Sequence, residues 1–329
     1  MSADTPFVSV CMITYNHEKY ISQAIESVLM QETSFEFELV ISEDCSTDST
    51  RDIVLEYAER YPETIKTLLH KKNVGMARNL IGCLEACTGK YIALCEGDDY
   101  WTDSLKLQRQ VDILNTHPEC SICFHRAIKV DEDSIELGST WPRKKWNRKI
   151  TTLLDLLEDN YISTQTVVFR NGLMNLDTVA TLISGLGFGD WILHILNAEK
   201  GKIFFIDEIM AAYRVTSAGA TKTASLESKI NDIEDFYTRM RDYFKEEVPE
   251  RIINSYKSRY LASFALSAAV EEKFDLADEL LYRSREASCR FSLKPFPTRM
   301  KVFFAIKSPK LFSFIRKLRL RNSGSFKDH

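Results

Sequence analysis

No run of 18 apolar residues occurs in this 329-residue chain, which excludes a membrane-spanning helix. The opening Met1-Ser-Ala-Asp-Thr-Pro6 has neither the basic nor the apolar segment of a secretory signal, so a cytoplasmic protein is expected. Positive charge is not in excess either. Lys and Arg number 43 against 47 Asp and Glu, for a net charge of −4, and nothing in that balance favours nucleic acid. Eight cysteines without a secretory signal are expected to be reduced thiols. Cys120-x-x-Cys123 lacks the second well-spaced pair that zinc requires, and Cys83 and Cys87 share one helix face as small hydrophobes.

What is present is a globular composition, 44% hydrophobic and 27% charged, large enough for one big domain or two ordinary ones. Val8-Ser-Val-Cys-Met-Ile13 is almost continuously apolar, as a strand buried on both faces should be. Helical spacing follows over 20–30, then a strand at 37–41, a helix over 49–61 stopped by Pro62, a strand at 64–69, and a helix over 74–87. Gly89 is expected to cap that last helix in the left-handed conformation. A fourth strand covers 91–95, and further strands are expected at 167–170 and 202–206 around a helix over 191–199. Such alternation means βαβ units and a mainly parallel sheet. Residues 131–150 are polar and expected to connect two halves of one domain. From about Ser225 to Ser288 helices dominate, with Pro249 between two of them, and Tyr256, Tyr260 and Phe264 form a packing stripe.

The chemistry concentrates at Leu94-Cys-Glu-Gly-Asp-Asp-Tyr-Trp101, three acids in four positions at the end of an expected strand. Open α/β sheets bind ligands at that edge. Carboxylates this close repel one another unless a cation or hydroxyl-rich ligand satisfies them, and hard oxygens suit Mg²⁺ or Mn²⁺. A solvated acidic turn is the alternative reading of those residues taken alone.

Five motifs in order carry a resemblance: Val8-Ser-Val-Cys-Met-Ile-Thr-Tyr-Asn16, Ile41-Ser-Glu-Asp-Cys-Ser-Thr-Asp48, Asn73-Val-Gly-Met-Ala-Arg-Asn79, Gly89-Lys-Tyr-Ile-Ala-Leu-Cys-Glu-Gly-Asp-Asp99 and Gly187-Phe-Gly-Asp-Trp191. Over residues 6–216 the chain resembles an inverting family 2 glycosyltransferase of the bacterial surface-polysaccharide type. The resemblance implies the GT-A fold, an α/β Rossmann-like mixed sheet flanked by helices. It divides the chain into a transferase domain over 1–220 (donor half 1–130, acceptor half 131–220) and a helical extension over 221–329. It implies a nucleotide-sugar donor of the UDP or dTDP type, a divalent metal (Mn²⁺ or Mg²⁺), and a glycan or lipid-linked acceptor.

Residue by residue, the resemblance puts Thr14, Tyr15 and Asn16 at the nucleotide base pocket and gives Asp44 the imide N–H of the base. Arg78 and Asn79 stand on the donor side, Asp98 takes the ribose hydroxyls, Asp99 binds the metal, and Asp190 is the general base. The chemistry needs these types. A departing diphosphate needs a cation, and a poorly nucleophilic acceptor hydroxyl needs a carboxylate to take its proton. Capping of a helix starting at Trp191 is the plainer role for Asp190.

The sequence departs from the family pattern at Glu43 and Glu96, where aspartate is usual, at Cys45, where glycine is common, and at Thr216, where a metal-binding histidine is frequent. His194 is expected to pack, His17 to lie on the surface, and His125 to end a strand. Tyr100 and Trp101 suit either packing or stacking on a sugar. A nucleotidyltransferase is the other enzyme class for such a sheet, but its Gly-rich loop is missing, since Thr14-Tyr-Asn-His-Glu-Lys19 contains no glycine. A non-catalytic binding or scaffold protein is the third reading. The segment 294–321 mixes Lys and Arg with Phe and Leu and contains no acid, a pattern that suits peripheral contact with an anionic membrane at its inner face.

Overall fold

The computed structural model describes residues 6–143, 146–217 and 224–288. Two compact units divide at Thr223/Ala224. The basic segment 294–321 lies outside the described residues, and no described helix is long and apolar enough to cross a membrane.

The first unit begins with β1 (Val8–Thr14), α1 (Ile21–Leu29), β2 (Phe37–Glu43), α2 (Thr50–Arg60), β3 (Ile65–Leu69), α3 (Met76–Ala86) and β4 (Tyr91–Leu94). All seven match the expected elements to within two residues or so. The physical reason is visible in β1, which is buried at six of its seven positions because helices cover both faces of the sheet. β1 pairs in parallel with β2 on one side and β4 on the other, and β3 extends the parallel set beyond β2.

Beyond β4 the sheet turns mixed. The chain continues through β5 (Tyr100–Trp101), α4 (Lys106–Thr116), β6 (Cys120–Val130), β7 (Glu136–Trp141), β8 (Ile150–Thr151), α5 (Leu153–Glu158), a 3₁₀ turn at Thr164–Thr166, β9 (Val168–Arg170), α6 (Leu176–Ile183), α7 (Asp190–Glu199) and β10 (Lys202–Arg214). The strand order is β3-β2-β1-β4-β9-β6-β10-β5, with β7 on β6 and β8 on β10. β9 lies antiparallel between β4 and β6. The expected GT-A architecture, a mixed α/β sheet flanked by helices, is therefore present.

Three local expectations change. Residues 131–150 were expected as a polar connector, yet β7 and β8 lie there, because the edges of β6 and β10 offer backbone partners to a polar sequence. β10 runs to Arg214, well past the apolar 202–206. Gly89 is not in the left-handed region. It is required because a Cβ there would lie 2.6 Å from the amide nitrogen of Ser9.

The second unit holds α8 (Leu226–Tyr243), α9 (Glu250–Val270) and α10 (Phe274–Ala287). Ile230, Leu261, Ala265, Ala268, Leu280 and Leu281 form its core. Pro249 serves as N-cap of α9, and Tyr260 packs near Phe264 and Tyr237, as a packing stripe should.

Candidate active site

Three adjacent parallel strands end at one edge of the sheet, β1 at Thr14, β2 at Glu43 and β4 at Leu94. The loops 15–20, 44–49 and 95–99 therefore emerge side by side. The turn after β4 is pressed onto the β1 loop. Gly97 donates its N–H to the Ile13 carbonyl at 3.0 Å, and a Cβ at Gly97 would come within 2.6 Å of Thr14 Oγ1 and 2.9 Å of His17 Nδ1. Close approach, rather than an unusual backbone angle, is what demands glycine here.

This packing brings Glu96, Asp98 and Asp99 together, with one carboxylate oxygen of each within 4.8 Å of the others. Asp99 is 2% exposed. Its Oδ1 accepts the Arg214 backbone N–H at 2.7 Å, and its Oδ2 is buried without a hydrogen-bond partner among the described residues. Burial, reinforced by Asp98 and Glu96, holds the Asp99 carboxyl well above the usual carboxylate range. Burial pushes Glu96 up to about 8, helped by Asp98 and by Asp190. An orphaned buried carboxylate oxygen beside two further acids fits a hard divalent cation, which would offset the burial and the mutual repulsion of these carboxyls. The metal role expected of Asp99 alone is thus open to all three acids, since Asp99 has already given one oxygen to the backbone.

Asp190 is the first residue of α7. The N-cap is Gly189, which has no side chain to cap with, so Asp190 sits one position inside the cap. The plainer role of capping is therefore not the one Asp190 performs. Its Oδ2 accepts the Thr164 hydroxyl at 3.2 Å. Its charge reaches Glu96 on one side and His194 on the other. His194 is fully buried, with neither ring nitrogen hydrogen-bonded among the described residues. Burial lowers it to about 4, against the pull of Asp190, so a neutral imidazole lies beneath the carboxylate.

The nucleotide-side residues divide into exposed and committed groups. Tyr15 is 41% exposed, and Arg78 is exposed on α3. Thr14 is buried, with its hydroxyl 3.2 Å from His17 Nδ1. Asn16, at φ 56°, binds the next loop through Oδ1 to the Thr47 N–H at 2.8 Å. Asp44 already accepts the N–H groups of Val74 and Gly75 at 2.7 and 3.0 Å, so it closes the loop before α3. Asn79 faces β2 rather than a donor: it is 2% exposed and exchanges two hydrogen bonds with Ser42, at 2.6 and 3.1 Å. Its motif spacing correctly put it on α3, but a helix buried on one face turns that position inward.

The two unusual residues of the β2 loop find structural roles. Glu43 is fully buried, accepting the Ser46 N–H at 2.6 Å and pairing with Arg51. Cys45 keeps the left-handed backbone, at φ 60°, that glycine would adopt without strain. Cys45 is partly exposed and the other six described cysteines are buried; all seven are free thiols.

Sequence reasoning missed three contributors. His17 is not simply surface, because its Nε2 lies 3.9 Å from Asp98 Oδ2. Arg214, 4% exposed, donates to the Asp98 and Glu132 carbonyls at 2.9 and 3.0 Å and to Gln23 Oε1 at 2.6 Å. An arginine inside a strand-like run was the available signal. Lys106 is fully buried behind the acid turn, its amine 3.8 Å from the Trp101 ring centre, and burial brings it down to about 7. Trp101 itself is packed, 1% exposed, which decides its role against stacking on a sugar. A cavity of about 620 Å³ between α4, residues 147–149 and β10 contains none of these acids.

Comparison with known proteins agrees with this arrangement. The family model described as glycosyl transferase family 2 matches residues 9–176. A Mycobacterium tuberculosis protein of unassigned function is 40% identical over 217 residues, 66% of this chain and 61% of the relative, so the chain spans about three fifths of that relative's length. TuaG of Bacillus subtilis, named for teichuronic acid biosynthesis, is 38% identical over 119 residues, 36% of this chain and 46% of its own. Among solved structures, Staphylococcus aureus TarS in complex with UDP superposes with a TM-score of 0.61 at 19% identity, covering 91% of this chain and 86% of the other. A mannosyltransferase from Pyrobaculum calidifontis in complex with GDP-Man and Mn²⁺ gives 0.52 at 15% identity, covering 94% and 88%. The motif order, the mixed sheet with its acid turn at the carboxyl edge, and a family match across half the sequence lead to one assignment: the chain belongs to glycosyl transferase family 2.

Proposed function

We propose that this enzyme moves a sugar from a nucleoside-diphosphate donor to a hydroxyl of a glycan or lipid-linked acceptor, inverting the anomeric centre, with Asp190 as general base. The observation that carries the reading is the convergence of Asp190 and the Glu96–Asp98–Asp99 cluster from segments some 90 residues apart: the Thr164 hydroxyl bonds Asp190, and the nearby Val167 carbonyl accepts the N–H of Leu94, just before the acids. One carboxylate faces the acceptor side and the others face the leaving group, the division of labour that displacement at an anomeric carbon needs.

Glu96, Asp98 and Asp99 would hold a divalent cation, which when bound supplies positive charge to the departing diphosphate. Asp98 also suits the ribose hydroxyls. Tyr15 and Arg78, both exposed, reach the donor, while Thr14, Asn16 and Asp44 build the floor on which the base rests. Asp190 takes the acceptor proton as the new bond forms. TarS with UDP supports a uridine donor, and TuaG supports a cell-surface polysaccharide acceptor. Residues 1–130 serve as the donor half, 131–220 as the acceptor half, and 221–329 as an appended unit whose described residues hold α8, α9 and α10. The enzyme works in the cytoplasm, with its acceptor at the inner face of the membrane.

The test is incubation of the full chain with Mn²⁺ and a panel of UDP-, dTDP- and GDP-sugars, with release of nucleoside diphosphate as the readout. Metal-dependent release from one donor class is expected. Transfer of a nucleotidyl group, or release unaffected by excess EDTA, would overturn the reading.

A further inference from the structure

We propose that Thr164 is the positioning residue for the general base, and that the 3₁₀ turn carrying it sets the spacing between Asp190 and the acid cluster. The inference rests on Asp190 being the base. Thr164 Oγ1 donates to Asp190 Oδ2 at 3.2 Å, which leaves Oδ1 to accept a proton from the acceptor. A half-buried carboxylate at the first position of a helix has more than one staggered rotamer open to it. One donated hydrogen bond selects among them.

The turn is fastened to both flanks of the acid cluster. On the upstream flank, Leu94 donates its N–H to the Val167 carbonyl at 3.3 Å. On the downstream flank, Trp101 Nε1 donates to the Gln165 carbonyl at 2.9 Å. Gln110 Nε2 adds a bond to the Thr166 carbonyl at 2.9 Å, and Thr166 Oγ1 closes the turn on the Ser163 carbonyl at 2.6 Å. Leu94 and Trp101 bracket Glu96, Asp98 and Asp99 in sequence, so the turn moves with the acids. Its threonine then reaches across to α7. Base and acid cluster come from separate segments, and this turn bonds to the base and to the residues flanking the acids.

The experiment compares wild type with Thr164→Val, Thr164→Ser and Asp190→Asn in the full chain. The probe is hydrolysis, with Mn²⁺, of whichever UDP-sugar is cleaved fastest. Valine keeps the shape and removes the donor; serine keeps the donor. Thr164→Val should lower kcat roughly tenfold with the donor KM unchanged, as loss of one charge-assisted hydrogen bond predicts. Thr164→Ser should restore kcat.

A second readout needs no turnover. The Asp190 side-chain carboxyl resonance in ¹³C NMR, identified by its loss in Asp190→Asn, should move at fixed pH in Thr164→Val and return in Thr164→Ser. An unchanged resonance and kcat in Thr164→Val, while Asp190→Asn is inactive, overturns the positioning role and leaves the base assignment standing. Hydrolysis surviving in Asp190→Asn overturns the base assignment itself.

Discussion

Asp99 and Arg214 stand 115 residues apart in sequence, yet Asp99 Oδ1 accepts the Arg214 backbone N–H at 2.7 Å. That bond fastens the acid turn to the end of β10, while the Arg214 side chain, over the Tyr20 and Tyr100 rings, bonds the Asp98 carbonyl. The buried Oδ2 of Asp99 is thereby fixed within the cluster with Glu96 and Asp98.

Asp99 consequently has separable duties. Asp99→Ala should abolish donor turnover and also lower stability by about 1–3 kcal/mol, because it strands a buried N–H. Asp99→Asn keeps an acceptor for Arg214 and should melt close to wild type, yet lose metal-dependent tightening of nucleoside diphosphate. Calorimetric titration with UDP, with and without Mn²⁺, separates the two; full metal response in both variants would remove Asp99 from the cation site.

Arg214 is nearly buried and makes its bonds through a planar fork, so lysine cannot replace it. Both Arg214→Lys and Arg214→Met should lose about 1–3 kcal/mol in denaturant unfolding, since three part-buried carbonyls lose their donor. Wild-type unfolding midpoints in either variant would count against this structural role.

Asp190→Asn should leave fold and donor affinity intact and cut turnover by roughly 10²-fold or more, the usual scale for losing a general base. Product NMR from an α-linked donor should show a β linkage. Retention at the anomeric carbon would contradict a single opposed base.

Glu96 supplies a pH signature. Its folded-state value, raised to about 8, lies above that of an exposed glutamate, so its contribution to stability is present at low pH and lost as pH climbs to about 8. Mn²⁺ must displace the retained proton, and its affinity should therefore rise across the same interval. Glu96→Gln should flatten the metal-free melting profile between about pH 4.5 and 8 relative to wild type. Identical profiles for the two proteins would rule out a proton held at Glu96.

Asn79→Ala should act on stability and not on donor recognition. Two buried bonds to Ser42 are lost, which predicts a drop of about 1–3 kcal/mol. The donor KM measured below the melting range should stay at the wild-type value; a large rise would return Asn79 to the donor side.

Much of the first half was legible in the sequence because its determinants are local. The apolar run 8–13 and the amphipathic spacing of 20–30 follow from burial on both faces of a parallel sheet, and three of the five motifs run through the end of a strand. The acid turn was legible for the same reason, as carboxylates directly after a strand. What residues 94–101 could not express is which acid would be pinned by a backbone amide from β10, since that depends on a strand 115 positions away. The strands at 136–141 and 150–151 were hidden because a polar edge strand gains its structure from its neighbour and not from its own pattern. Sequence alone determined the residue types, their order and the family. Tertiary structure decided that Asn79 turns inward, that Asp44 closes a loop, and that Asp190 is held by Thr164 rather than spent on a helix cap, because each outcome turns on which side chain a distant segment brings within hydrogen-bond reach.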